Sequence, residues 1–331
     1  MKKFINDPAA FVPEFMKGIA LANPDLINFN EEFQMVTRKA GPNNAKVSVV
    51  QGSGSGHEPA HCMAVGPGML TGACQGAVFA APAVDSCYET IKACASDAGV
   101  LVLVNNYQGD RMAWDMATEM ATAEGINARQ FWINDDVAVE DSLYTVGRRG
   151  VAGNFFVIKA CGAAAEQGKS LDEVEAIADK VNKNVRTMGV ALTSCIPPAK
   201  GTPIFDLPDD EMEVGVGIHG EPGRRREKIS SADAITAELF EAVASDIPFK
   251  SGDRIALMIN GLGGTPITEL YVMYAKAHEL AEAAGFTVVR NYVGEYCTSL
   301  EMAGASLTIL KLDSELEALL DAPAETAARI F

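Results

Sequence analysis

The chain has 331 residues, 48% of them hydrophobic and 21% charged, with 30 glycines and 15 prolines; this is an ordinary globular composition, and the length predicts two domains rather than one oversized core. The formal net charge is −17 and no basic run exceeds Arg224, Arg225 and Arg226, so neither nucleic acid nor an anionic membrane is an expected partner. Seven cysteines without a Cys-x-x-Cys pair read as small buried apolar residues in a reducing cytoplasm, and the absence of a signal peptide or a long apolar window agrees with a soluble cytoplasmic protein.

Residues 9–22 carry the pattern of an amphipathic helix, and Lys46–Val50 that of a short β-branched strand entering the glycine-rich Gly52-Ser53-Gly54-Ser55-Gly56. A loop segment follows, then a helix over Asp85–Ala95 and an apolar strand over Gly99–Val104. Strand, glycine loop, helix and strand predict a parallel sheet. The alternation continues with a helix at 111–124, a strand over Gln130–Ile133 and a loop at Asp135-Asp136-Val137. Phe155–Gln167 and Leu171–Met188 read as two helices, the second opened by Ser170 with Glu173 three residues later, a capping box.

Further on, Glu213–Ile218, Arg254–Asn260, Thr287–Asn291 and Ser306–Leu312 are strand candidates, and helices are expected at 232–245, 266–284 and 314–320. The fold expected is therefore α/β with two α/β domains. The first, residues 1–190, has a mostly parallel sheet with flanking helices; the second, residues 191–331, is a smaller domain with a mixed sheet. No internal repeat or low-complexity tract is present.

Candidate chemistry gathers at strand ends. Gly52–Pro59 follows a strand, where an open α/β sheet places its ligand crevice, and glycines there allow close backbone approach and positive φ. Neither a Gly-x-Gly-x-x-Gly fingerprint nor a Gly-Lys-Ser/Thr follows, so a nucleotide is not indicated, and a tight turn without a ligand is the alternative. The four histidines are His57, His61, His219 and His278. His57 and His219 each stand beside glycine, before Glu-Pro or Gly-Glu-Pro, at an expected strand end, a setting that often carries function; the plain alternative is a satisfied core or surface residue. His278 reads as a solvated helix residue. Pro59 and the glycines break any helix that would pair His57 with His61 on zinc, so no metal is expected. Asp110, after a buried strand, is either a general base or the N-cap of the helix that follows, and the two roles are compatible.

Five ordered motifs together, Gly54-Ser55-Gly56-His57-Glu58-Pro59-Ala60-His61, Asn106-Tyr107-Gln108-Gly109-Asp110, Asp135–Val139, Gly147-Arg148-Arg149-Gly150 and Gly217-Ile218-His219-Gly220-Glu221-Pro222-Gly223, resemble the dihydroxyacetone kinase family, specifically its substrate-binding K subunit. Ser251–Arg254, Leu262–Pro266 and Tyr296–Leu300 extend the resemblance from about residue 5 to 330. It implies a subunit, usually a homodimer, that holds a short-chain ketose while a separate L-type subunit carries ADP or ATP with Mg; the chain itself is expected to hold no cofactor and to be active only with that partner. In some family systems the bound ADP is recharged by a sugar phosphotransferase cascade.

By the same resemblance His219 captures the ketone carbon as a hemiaminal, Asp110 and His57 act on the hydroxyl that receives the phosphoryl group, and Gly54, Ser55, Gly56 and Asn105 contribute to substrate binding. The chemistry selects carbonyl compounds over polyols. The Arg224–Arg226 triplet reads either as a partner contact or as a solvated turn. Two positions depart from the family pattern: Asn105 replaces a common lysine, and Ser53 replaces a glycine. They predict a changed pocket, suited to a related ketose such as erythrulose or apulose. A ketose-sensing co-regulator without kinase activity is the competing expectation, and a dinucleotide-dependent oxidoreductase is disfavoured for want of its fingerprint.

Overall fold

The computed structural model describes residues 2–139, 147–247 and 249–328. Among them the chain opens with helix α1 (Phe11–Ala22) and then builds a first sheet from β1 (Ile27–Asn30), β2 (Met35–Arg38), β3 (Ser48–Ser55), β4 (Gly72–Val78), β5 (Val100–Asn105) and β6 (Ala128–Ile133), in the spatial order β1-β2-β4-β3-β5-β6. β3, β4, β5 and β6 are mutually parallel, with β1 and β2 added antiparallel at one edge. Helices α2 (Val84–Ala93) and α3 (Gln108–Ala123) cover one face through Cys87, Ile91, Trp114 and Ala117 against Val100 and Val102.

Helices α4 (Asn154–Glu166) and α5 (Leu171–Asn184) lead to a second sheet made of β7 (Val185–Ala191), β8 (Glu211–Val214), β9 (Arg225–Lys228), β10 (Arg254–Gly261), β11 (Thr287–Gly294) and β12 (Gly304–Leu312), ordered β11-β10-β12-β7-β8-β9. Only β10 and β11 pair in parallel there. Helices α6 (Ala232–Asp246) and α7 (Ile267–Ala283) cover its outer face, and α8 (Ser314–Asp321) ends the regular structure. α4 is buried from Asn154 to Ala165, as a helix with apolar residues all round must be. It sits with α5 between the sheets, in one cluster that joins Leu101 and Leu103 of β5 to Leu310 and Leu312 of β12. Lys159 within it is kept soluble in the core by donating to the carbonyls of Leu319 at 2.8 Å and Ala322 at 2.7 Å, the open end of α8.

Both sheets therefore have six strands, the first drawn from residues 27–133 and the second from residues 185–312. The expected division at 190/191 cuts through β7, and residues 329–331 of the expected second domain lie outside the described residues. Helix Leu171–Met188 is shorter than its pattern suggested: the capping box of Ser170 and Glu173 forms, but the helix stops at Asn184. The β-branched Val185, Thr187 and Val190 continue as β7, whose ladder to β12 outweighs the helical periodicity. β4, expected as loop, hides behind Gly72 and Gly76, where a Cβ would meet Cys94 Sγ at 2.5 Å and Ala80 O at 2.1 Å. β1, β2 and β9 also lay outside the expected elements, each four residues long.

Candidate functional site

The chain passes from β3 to β4 on one side and then to β5 on the other, and the gap so created at the strand ends is where open α/β sheets admit ligands. β3 runs straight through its glycines, which serve close packing rather than a turn. A Cβ on Gly52 would meet Cys74 O at 2.4 Å, and one on Gly54 would meet Ala80 N at 2.6 Å. Only Gly56, at φ +100, uses the left-handed region, and it turns the chain into His57.

His57 is fully buried and clamped by the opposite sheet. Its Nδ1 lies 2.8 Å from the carbonyl of Thr298, its own carbonyl accepts from Thr298 N at 3.1 Å, and Gly56 O accepts from Leu300 N at 2.8 Å. A carbonyl can only accept, so Nδ1 carries the proton and Nε2 presents a lone pair. Burial, reinforced by the neighbouring His219 ring, pushes His57 well below the usual histidine range and keeps it neutral. Its Nε2 lies 3.0 Å from Nε2 of His219.

His219 sits on a turn wrapped around a carboxylate. Gly217 leaves the room: a Cβ there would lie 2.0 Å from the Glu221 carboxyl carbon. Gly220 turns the chain at φ +73, its N–H donating to Gly217 O at 3.0 Å. Glu221 Oε2 accepts from the backbone N–H of His219 at 2.9 Å, while Oε1 lies 3.8 Å from His219 Nδ1 and 3.8 Å from Arg149 Nη1. Burial alone would raise this carboxyl, but the His219 side chain and the Arg149 guanidinium hold it down at about 2. Arg149, fully buried, donates to Asp136 Oδ2 at 2.7 Å and to Gly215 O at 2.7 Å. Around the imidazole stand Tyr107, edge-on at 4.6 Å, and Phe79, which also stacks on His57 at 5.2 Å. Phe79 adopts φ +60, a conformation costly for a bulky residue and concentrated at functional sites.

Asp110 is the third residue of α3, not its N-cap. The helix begins two residues before it, with Tyr107 at the cap position making no side-chain cap. An anionic group in a first helical turn faces free N–H groups and the positive dipole end. Burial raises the Asp110 carboxyl to about 6, with the Ser53 hydroxyl and then His219 working against the rise. Ser53 Oγ donates to its Oδ2 at 2.7 Å, and Oδ1 has no partner among the described residues. Asp110, Ser53, Gly54, Tyr107, Gly109 and His219 line one open cleft of about 370 Å³ with Phe79, Ala80 and Ala81.

Two other expected site residues, Ser55 and Asn105, lie outside the cleft lining. Ser55 spends its hydroxyl on Gly76 O at 2.7 Å, tying β3 to β4. Asn105 is buried, accepts from Gln51 Nε2 at 3.2 Å and lies 3.4 Å from His61 Nε2, and is not among the cleft-lining residues. His61, driven down to about 3 by burial, is a neutral member of that polar cluster with Asn154. The Arg224–Arg226 triplet is engaged within the chain: Arg224 donates to the carbonyls of Val137 and Ala138, Arg225 pairs with Glu227 and Glu238, and Arg226 with Glu213. Glu221, Arg149, Asp136, Tyr107 and Thr298 were legible only as motif members, without a role.

Among the described residues no group of three His, Cys, Asp or Glu is arranged to hold a metal, and no helix is long and apolar enough to cross a membrane. The fold and cleft define an α/β protein whose open cleft is lined by an imidazole and a carboxylate. Residues 17–328 match the Dak1 domain, and the chain belongs to that family of dihydroxyacetone kinases. It is 47% identical over 315 residues to a PTS-dependent dihydroxyacetone kinase, dihydroxyacetone-binding subunit, of Listeria innocua, covering 95% of each chain. It is 42% identical to a D-erythrulose kinase of Mycolicibacterium smegmatis, spanning 99% of this chain and 56% of that one. The solved structure of a dihydroxyacetone kinase operon co-activator superposes with a TM-score of 0.91 at 34% identity, over 96% of this chain and 98% of that one.

Proposed function

We propose that the chain is the ketose-binding subunit of a dihydroxyacetone-type kinase: it captures a short-chain ketose covalently on His219 and presents a hydroxyl for phosphorylation by a separate nucleotide-binding subunit, with Mg and ADP or ATP on that partner. The observation that carries the reading is the meeting of His57, His219 and Asp110 from three separate parts of the chain, with His219 and Asp110 lining one cleft. In the capture step, His219 Nε2 passes its proton to the lone pair of His57 Nε2, and the electron pair so released forms the bond to the carbonyl carbon as the C=O π bond breaks; the carbonyl oxygen then takes that proton from His57, leaving a neutral hemiaminal and a neutral His57. The ring contact to His57 engages the attacking nitrogen, so capture exchanges that hydrogen bond for the new C–N bond.

Once the ketose is fixed, Asp110 takes the proton of the acceptor hydroxyl as its oxygen attacks phosphorus; orientation toward the donor is most of what such a site supplies. A carboxyl at about 6 is ionised at neutral pH yet basic enough to accept a proton. Seven buried free cysteines suit a reducing cytoplasm, and the chain is expected to work as a homodimer. As for the ketose, Ser53 stands in the cleft whereas Asn105 lies outside its lining, beside Gln51 and His61, so a preference for erythrulose or apulose rests mainly on Ser53. The co-activator likeness supports a second reading, a ketose sensor, which would have no use for the base at Asp110.

Crystals soaked with dihydroxyacetone, erythrulose and apulose should show continuous density from His219 Nε2 to one of them, and His219→Ala crystals should not; an adduct that persists in the variant removes the assignment. Incubation with an L-type subunit and its phosphoryl donor separates enzyme from sensor: sugar phosphate is expected, and none from any of these ketoses would favour the sensor.

A further inference from the structure

We propose that Ser53 is a positioning residue for the acceptor base: its hydroxyl pins Oδ2 of Asp110 and leaves Oδ1 as the one carboxylate oxygen able to take the proton of the substrate hydroxyl. The assignment rests on the reading of Asp110 as that base. The pair is buried, with Ser53 at 1% and Asp110 at 3% exposure, yet both line the cleft. Their contact, 2.7 Å, is short and charge-assisted. Oδ1 has no partner among the described residues, and a buried acceptor so placed is available to a ligand donor.

The contact is built into the docking of α3 on β3 and does not depend on a mobile side chain. One helical turn beyond Asp110, Trp114 Nε1 donates to Gly52 O at 2.9 Å, so the residue before Ser53 is held by the same helix face. The residue after it, Gly54, is pressed against Ala80 so closely that no side chain fits. Ser53 is also paired across β4 with Gln75. With its backbone fixed on both sides, the hydroxyl has one acceptor to serve. Its single proton is committed to Asp110, and its lone pairs remain free to accept from a substrate hydroxyl.

Donation to a carboxylate stabilises the charged form. The carboxylate therefore stays ionised to lower pH than burial alone would permit, and its second oxygen cannot compete for the substrate proton. An alanine at 53 removes both effects without filling the cleft.

The test uses the full chain with aspartate carboxyl carbons isotopically labelled, and compares wild type with Ser53→Ala, Ser53→Gly and the hydroxyl-retaining Ser53→Thr. In the absence of ketose and partner, the Asp110 carboxyl signal, assigned by its loss in Asp110→Asn, should titrate about one pH unit higher in S53A and S53G and near wild type in S53T. With the L-type subunit and its donor, the acid limb of turnover should move with it: on going from pH 8 to pH 6, S53A should lose about fivefold more of its own pH 8 turnover than wild type loses of its own. The His219 adduct should still form. A wild type that turns over ketose while S53A and S53G leave both the titration and the acid limb in place overturns the Ser53 assignment alone. A wild type that makes no sugar phosphate overturns the reading of Asp110 as base, and this proposal with it.

Discussion

The two histidines that meet in the cleft are held in opposite ways. His57 is fixed by backbone: its Nδ1 faces the Thr298 carbonyl, and the chain on either side is zipped to residues 298–300. The second histidine, His219, is fixed by charge, on a turn folded around Glu221, behind which lie Arg149 and Asp136. Backbone carbonyls are neutral acceptors and lock one tautomer; a buried carboxylate can orient a ring and stabilise positive charge that develops on it. The difference suits the first ring to hydrogen bonding and the second to covalent attack, although the two nitrogens lie only 3.0 Å apart.

Removing the charge behind His219 should have the largest effect. Arg149→Met strands Asp136 and Glu221 in the core, at a cost of about 3–5 kcal/mol by chemical denaturation, and should weaken ketose capture in whatever fraction folds. A variant as stable as wild type would mean that His219 is held without the ion network. Asp110→Asn tests the cleft without touching either ring. Turnover with the nucleotide subunit should fall roughly 10²–10⁴-fold while the His219 adduct still forms.

The pH dependence of the wild type follows from the same residue. Asp110 works as a base only when ionised, so activity should be full above about 6 and decline as pH falls through that value. Its raised carboxyl also means that ionisation opposes folding above pH 6, and that this penalty is relieved as the group is protonated below it. A pH profile flat from 7 to 5 would remove Asp110 from the mechanism. The smallest effect is expected on the backbone-held side. Thr298→Val loses the hydroxyl contact to Glu58 O at 2.9 Å and should cost about 1 kcal/mol; with the carbonyl that faces His57 Nδ1 retained, turnover should change little.

Much of this arrangement could be read before any coordinates. Apolar runs such as Val100–Val104 and the Ser170/Glu173 capping box announce their elements because the causes are local. β4 and β7 were missed because their causes are distant: β4 keeps glycines where Cys94 and Ala80 press in, and β7 interrupts a helical pattern because β12 offers it a ladder. At the site, glycine-flanked His57 and His219 and the strand-end Asp110 stood out by position. Glu221 and Arg149 did not, since their significance is a relation across 72 residues of chain that no spacing encodes. Asn105 shows the converse: a strand-end amide is placed by the sequence, but its partners Gln51 and His61, 54 and 44 residues away, are not.

Gly217 carries a consequence for how such a site would look to genetics. The space that a side chain would occupy there is filled by the carboxylate of Glu221, so even a methyl group would evict the acid that steadies His219. In a saturation screen for growth on a ketose, position 217 should reject every alternative, alanine included. It would score beside His219, the proposed nucleophile, while offering no functional group at all, an indispensable residue defined by what it leaves out.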